Sequence, residues 1–372
     1  MDLCPTNFCP ATAEELAEQL RDAGAKRQTI ALRGHGSKSG MAGPVAASDV
    51  TISTARLNRI LQYEPRDLTV SVEAGLPWRE FTAALEEHGQ MVPLDPHFAN
   101  ESTVGGVVAA NVSGARRRLF GSVRDMVIGM TFATLEGKLI RTGGMVVKNV
   151  AGLDMGKLMI GSFGTLAAIA VVNFKLHPRP AGTRTFVQEF LRTAETIAAR
   201  DRILKSVLQP AAIEILKSSQ GYDLVVQAGG SPAVLDRYAR ELSGFRPLDA
   251  GQERAYWGKL AEFTPDYLRE HPQGAVIRVS CLLTEVGPVL EALPAPAVAR
   301  AGSGVCYGYF PDAREMRFPS VGNSVAEFAP QEFRETAGLW PKVGSDFAMM
   351  KKVKEMFDPL GLLNRGRLYG RI

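Results

Sequence analysis

The sequence predicts an α+β protein of two unlike units: a glycine-rich first half, and a smaller α+β unit built on an antiparallel sheet. Three observations carry this. Strand-like runs that end in Gly-dense stretches recur through the first 180 residues. The Pro-rich run HPRP at 177–180 then punctuates the chain. Beyond it, strand-like FVQEF, LVVQ and AVIRVS alternate with helical stretches such as 231–243, the texture of helices packed on an antiparallel sheet. The division this sets is 1–180, 181–335 and a C-terminal segment, 336–372.

Residues 12–24 read as an amphipathic helix, with Thr12 and Glu15 in capping-box spacing and Leu16 and Leu20 facing one core. QTIALR (28–33) and DVTIS (49–53) read as strands. LTVSVE (68–73) is another, its period-two alternation predicting one buried face. RLNRIL (56–61) between them reads as a helical turn, and a helix over Pro77–His88 puts Trp78, Phe81 and Leu85 on one face. Residues 93–122 are rich in Gly, Asn and Ser. Strands resume at MVIGMTFATL, and EGK (136–138) turns the chain into LIRTG. A second Gly-dense stretch, 143–165, leads to the β-forming run AAIAVVNFKL. The last segment carries one helix, SDFAMMKKVKEMF, and a closing loop.

The bulk composition excludes several function classes. A net charge of +4 with one tight basic cluster, Arg116–Arg118, gives no electrostatic footprint for nucleic acid. The N-terminus lacks a basic and apolar leader, and no run of about 18 apolar residues exists, so the expectation is a cytoplasmic protein. Four scattered cysteines read as free thiols and cannot supply an iron–sulfur cluster. His88, His97, His177 and His271 show no ligand spacing, so no metal site is expected, and His97 reads as a solvated loop residue.

Two segments carry ligand chemistry. RGHGSKSG (33–40) follows a strand directly, so backbone N–H groups of its turns can converge on an anion. Arg33, Gly34, His35, Gly36, Ser37, Lys38 and Gly40 are the candidates there, with charge from Arg33 and Lys38. This is no dinucleotide fingerprint of a Rossmann domain, because MAGPV after it cannot continue as a helix. PLDP, with Pro93 and Asp95, precedes ESTVGGVVAANVSG (101–114). Ser102 and Thr103 can donate to phosphate, Gly105 and Gly106 allow close approach, and Asn111, Ser113 and Gly114 repeat the device. Tight packing of a small-residue helix explains the glycines and alanines but not the polar residues at both ends.

The ordered set RGHGSKSG, PLDP, TVGGVVAANVSG, LFGSVRD, VVKNVAGLD, GSFGTLAAI and LNRGRL resembles the vanillyl-alcohol-oxidase/p-cresol-methylhydroxylase-type FAD-binding family, and within it the FAD-binding subunits of bacterial glycolate oxidases. The resemblance is strong over 1–180, moderate over the last thirty residues and weak between them. It implies a two-subdomain FAD-binding domain, a cap domain, and a C-terminal segment returning to the first domain. FAD would lie with its pyrophosphate on Arg33–Gly40 and a second wall at Ser102, Thr103, Gly105 and Gly106, closed by a turn at Gly121. Asn111, Ser113 and Gly114 would follow the phosphates or ribityl chain, Ile169 the adenine end, and Lys148–Gly152 and Asn364–Arg367 the isoalloxazine ring. Some relatives attach flavin covalently through a first-loop histidine; His35 reads instead as a loop contact.

The implied reaction is oxidation of a 2-hydroxy acid, glycolate to glyoxylate, with hydride passing to the flavin. A cation should hold the carboxylate, and Arg278 and Lys148 are the candidates. The His-containing HxGDGNxH signature of related catalytic subunits is missing, its nearest counterpart being AGSGVCYGYF (301–310). The resemblance therefore implies work within a complex, beside a catalytic FAD subunit and an iron–sulfur subunit, with membrane association only through partners. A flavin-stabilised assembly subunit, and a stand-alone FAD-dependent reductase of the same fold, remain alternatives.

Overall fold

The structure is a computed structural model that describes residues 8–146 and 154–372. The first helix, Ala13–Ala25, is capped as its sequence demands: the Thr12 side chain accepts from Glu15 N at 3.1 Å. The Glu15 carboxylate closes the turn one residue early, on Ala11 N at 2.7 Å. Leu16, Leu20 and Ala23 of this helix pack against the two-stranded parallel sheet of Ile30–Arg33 and Val50–Ser53, with Leu362 and Leu363 from the C-terminal end.

A five-stranded antiparallel sheet follows, in the order Ile60–Glu64, Thr69–Glu73, Ala168–Lys175, Val127–Ala133, Leu139–Gly143. Two sequence expectations change here. Residues 60 and 61 begin an exposed edge strand rather than ending a helical turn. Their apolar side chains lie outside the core, so the partner strand, and no local pattern, fixes the conformation. Thr69–Glu73 is buried at all five positions, because neighbouring elements cover both of its faces. Of its polar residues Glu73 is paired, taking Arg59 Nε at 3.2 Å and Nη2 at 2.9 Å, while Thr69 Oγ1 is buried without a partner. Against the sheet pack the helices Trp78–Glu86, through Trp78, Phe81 and Leu85, and Val104–Ala110, through Val104, Val107 and Val108.

Residues 182–328 form an eight-stranded antiparallel sheet, in the order Arg246–Pro247, Gly182–Phe190, Gly221–Gly230, Ala212–Ser218, Ala297–Arg300, Val305–Phe310, Ala275–Ser280, Asn323–Phe328. One face is covered by the helices Thr193–Lys205, Pro232–Glu241 and Val286–Ala292, through residues such as Ile203, Leu235 and Val289. The other face carries Val276, Tyr307, Tyr309 and Phe328, and packs on Met41, Ala42, Ala110 and Val112 of the first half. Leu368 and Tyr369 join the same cluster. The α+β class and the antiparallel second sheet match the sequence expectation.

Candidate functional site

The strand Ile30–Arg33 loses its partner after Arg33↔Ser53, and the chain turns through Gly36 at φ +79, a conformation that favours glycine. Ser39 N donates to Gly36 O at 3.0 Å and Met41 N to Lys38 O at 3.0 Å. Gly34 is pressed against the second wall: a Cβ there would stand 2.3 Å from Thr103 Oγ1. The two glycine-rich segments of the sequence therefore meet at a contact that a side chain would close.

Thr103 caps the helix Val104–Ala110, its side chain accepting from Gly106 N at 3.2 Å. Ser102 is buried and donates to Phe98 O at 2.6 Å. Its hydroxyl also accepts from Lys38 Nζ and lies 3.3 Å from Ser37 Oγ. Burial brings the Lys38 ammonium down to about 7, against the opposing pull of Glu262 and Glu101.

Between the two walls lies a cavity of about 380 Å³. Arg33, Gly34, His35, Gly36, Ser37 and Lys38 line it from the first wall, Thr103, Gly105 and Gly106 from the second. Ile169 joins them from the five-stranded sheet, and Asn364 and Arg367 from the C-terminal end. Arg367 braces the first loop, with Nη1 donating to Met41 O at 2.9 Å and Nη2 to Lys38 O at 3.1 Å.

A smaller pocket of about 170 Å³ continues from it, since Ala110 and Phe163 line both. Asn111, at φ +51, and Ser113 contribute from the first half; Arg278, Arg300, Tyr307 and Glu327 face them from the eight-stranded sheet. Arg278 is already engaged. Its Nε donates to the Glu327 carboxylate, Nη1 to Ser280 Oγ at 3.1 Å and Nη2 to Tyr369 OH at 3.4 Å. Burial opposes its charge, but Glu327, Tyr369 and Tyr307 hold its pKa well above the usual range.

Other candidates lie elsewhere. Asp95 pairs with Arg116, Nε to Oδ1 at 2.9 Å, and Gly114 sits tight against it, 2.1 Å separating a Cβ there from the Asp95 Cβ. Burial disfavours the Asp95 carboxylate, but Arg116 outweighs it and holds the pKa low. Pro93 is buried beside this pair in sequence and does not line either pocket, and Gly40 lies just past the first. Gly121, at φ +91, ends the short helix Arg117–Phe120 against Asp125, a turn glycine outside both pockets. Lys148, with the whole of 147–153, lies outside the described residues.

His97 is 5% exposed, which corrects its reading as a solvated loop residue: Tyr307 and Phe328 of the second sheet enclose it. Burial, with Arg300 and Lys38 adding, brings its imidazole down to about 3. Arg300, Tyr307 and Glu214 are functional candidates that the sequence reading missed. The available signal was a single charged residue inside each of the apolar runs AIEIL and AVARA. Among the described residues, no group of three or more His, Cys, Asp or Glu is arranged to hold a metal ion.

The joined pockets suit a dinucleotide. A Cβ on Gly36 would meet nothing within 4 Å, so the loop backbone lies open to the cavity, while Gly34 and Gly105 leave no room on the wall side. A family model described as FAD binding domain matches residues 7–143. The chain is 30% identical to glycolate oxidase subunit GlcE of Escherichia coli (strain K12) over 361 residues, 97% of this chain and 98% of that protein. It is 30% identical to glycolate oxidase subunit GlcD of Bacillus subtilis (strain 168) over 211 residues, 56% of this chain and 44% of that protein. Among solved structures, an alkyldihydroxyacetonephosphate synthase superposes with a TM-score of 0.69 at 19% identity, over 96% of this chain and 75% of that chain, a likeness of fold.

Proposed function

The chain belongs to the p-cresol-methylhydroxylase-type FAD-binding family, with FAD as its cofactor, and on that premise we propose that it is the FAD-binding subunit of a glycolate (2-hydroxy acid) dehydrogenase complex. The observation that carries this reading is the similarity to glycolate oxidase subunit GlcE along 97% of the chain. Relatives named D-2-hydroxyglutarate dehydrogenase and D-lactate dehydrogenase support oxidation of a hydroxy acid as the chemistry of this reading.

In this reading 1–180 is the FAD-binding domain, 181–335 the cap and 336–372 a segment that returns to the first domain. The loop Arg33–Gly40, with Ser102, Thr103, Gly105 and Gly106, would hold the pyrophosphate; Asn111, Ser113, Ile169 and Asn364 would line the rest. FAD supplies a hydride acceptor when bound. The chain's own residues would orient the substrate, with Arg278 or Lys148 as the cation for its carboxylate. Electrons would leave through a second FAD subunit and an iron–sulfur subunit, and the similarity to GlcD supports such a partner. No described helix is long and apolar enough to cross a membrane. A cytoplasmic complex, touching the inner membrane through partners alone, is the corresponding location.

The missing HxGDGNxH signature favours dependence on the partner, and keeps a second reading in play, a flavin-stabilised assembly subunit. Anaerobic mixing of the FAD-loaded chain with glycolate, alone and with its co-purified partners, separates the two. Slow bleaching alone and fast bleaching of this chain's flavin in the complex supports electron transfer. A flavin that no partner or dithionite titration reduces would leave only the assembly role.

A further inference from the structure

Arg300 lines a second cavity besides the inner pocket, one of about 620 Å³ between the eight-stranded sheet and residues 91–120. Arg300 and Glu214 face each other across paired strands, and Tyr307 stands beside them, so the three share one face of the sheet. Arg300 Nε, Glu214 Oε1 and His97 Nε2 are buried polar atoms without a hydrogen-bond partner. The three side chains are only 8%, 1% and 5% exposed. Leaving such groups unpaired costs stability, and three around one cavity mark a place where a polar ligand head would be stabilised.

The charges decide what head fits. Burial pushes the Glu214 carboxyl up to about 8, against the pull of Arg300, so it is protonated at neutral pH. His97 is neutral, and Asp95 is matched by Arg116. Arg300 is thus left with an unbalanced positive charge, its guanidinium stacked 5.1 Å over the Tyr307 ring. Apolar side chains also line the cavity, Leu119, Phe120, Trp257 and Leu260 among them, and Leu119 is 41% exposed at its mouth. A two-carbon acid fills little of this volume.

We propose that this cavity binds an organic monocarboxylate with an apolar tail, its carboxylate on Arg300 and Glu214 and its tail along Trp257 and Leu260. The inference rests on the 2-hydroxy acid reading above but moves the substrate carboxylate from Arg278 or Lys148 to Arg300, which also lines the inner pocket, and makes 2-hydroxy acids longer than glycolate the preferred substrates. His97 Nε2 serves as acceptor for the 2-hydroxyl.

The test is calorimetric titration of the FAD-loaded full-length chain with glycolate, 2-hydroxyhexanoate, 2-hydroxyoctanoate and octanoate. Affinity should rise roughly threefold to fourfold per added methylene until the tail space is filled. Arg300→Gln should weaken every acid at least tenfold, with Arg300→Lys between. Leu119→Asp, a change at the exposed mouth that leaves the core intact, should weaken the long acids and spare glycolate. Affinities independent of chain length, or unchanged in Arg300→Gln, overturn the proposal. If glycolate still bleaches the flavin then, only this inference falls. If long acids bind as described while no 2-hydroxy acid reduces the flavin with partners present, the cavity assignment stands and the substrate reading falls.

Discussion

Asn364 holds both sides of the Leu32 peptide: its Oδ1 accepts from Leu32 N at 2.6 Å and its Nδ2 donates to Leu32 O at 3.2 Å. The same amide nitrogen donates to Phe163 O at 2.7 Å, so one C-terminal side chain ties the strand before the first loop to the Gly-dense stretch 143–165. Asn364 itself sits at φ +40, which asparagine tolerates better than most residues. Asn364→Ala removes three hydrogen bonds and leaves part-buried backbone groups unpaired. The expected loss is about 2–4 kcal/mol by urea denaturation, with faster release of FAD.

Lys38 predicts a pH dependence of FAD affinity. Its ammonium titrates at about 7 without cofactor, because burial disfavours the charge. A pyrophosphate beside it raises that value, so binding takes up a proton between the two. Apo-protein should therefore bind FAD more weakly as pH rises from 7 to 9, by up to about tenfold per unit. Lys38→Met should flatten this dependence in fluorescence titrations.

Gly34 and Gly40 should respond oppositely to alanine. A Cβ at Gly34 meets Thr103 Oγ1 at 2.3 Å, whereas at Gly40 it meets nothing within 4 Å. Gly34→Ala should cost about 1–3 kcal/mol in stability and lower the flavin content of purified protein, as overpacking does. Gly40→Ala should keep both, as read by the visible flavin spectrum.

Glu214 sets a second pH signature, in stability. Its folded pKa of about 8 stands above the ordinary carboxyl value, so its contribution is full below about pH 4.5 and lost as pH rises through 8. Glu214→Gln does not titrate. Its stability relative to the parent should rise by about 2–4 kcal/mol between pH 4.5 and 8, measured by denaturant titration across that range. A constant difference would contradict the burial of this carboxyl in an uncharged state.

The glycine-rich walls were legible in the sequence because their chemistry is local. A strand running into RGHGSKSG can do little but turn, and Thr103 caps the helix that its own sequence begins. The Glu214–Arg300 pair was not legible: it exists only because the strands Ala212–Ser218 and Ala297–Arg300 pair in one register. His97 followed a Pro-bounded loop and read as solvated, until packing of the second sheet placed Tyr307 over it at 5.6 Å between ring centroids. The edge strand Ile60–Glu64 was misread for the same reason, since its conformation comes from Thr69–Glu73 and not from its own side chains. Of the Arg116–Arg118 cluster, a tight basic run in sequence, two members serve internal contacts, Arg116 with Asp95 and Arg118 Nη1 with Pro210 O at 3.1 Å, while Arg117 is exposed.

The measurement that bears most directly on the central claim is the flavin content of the purified full-length chain, before and after denaturation, with reconstitution of any apo fraction. The account predicts stoichiometric flavin that is released intact as FAD on denaturation and restored by added FAD. A chain that carries no flavin and cannot be reconstituted would contradict it.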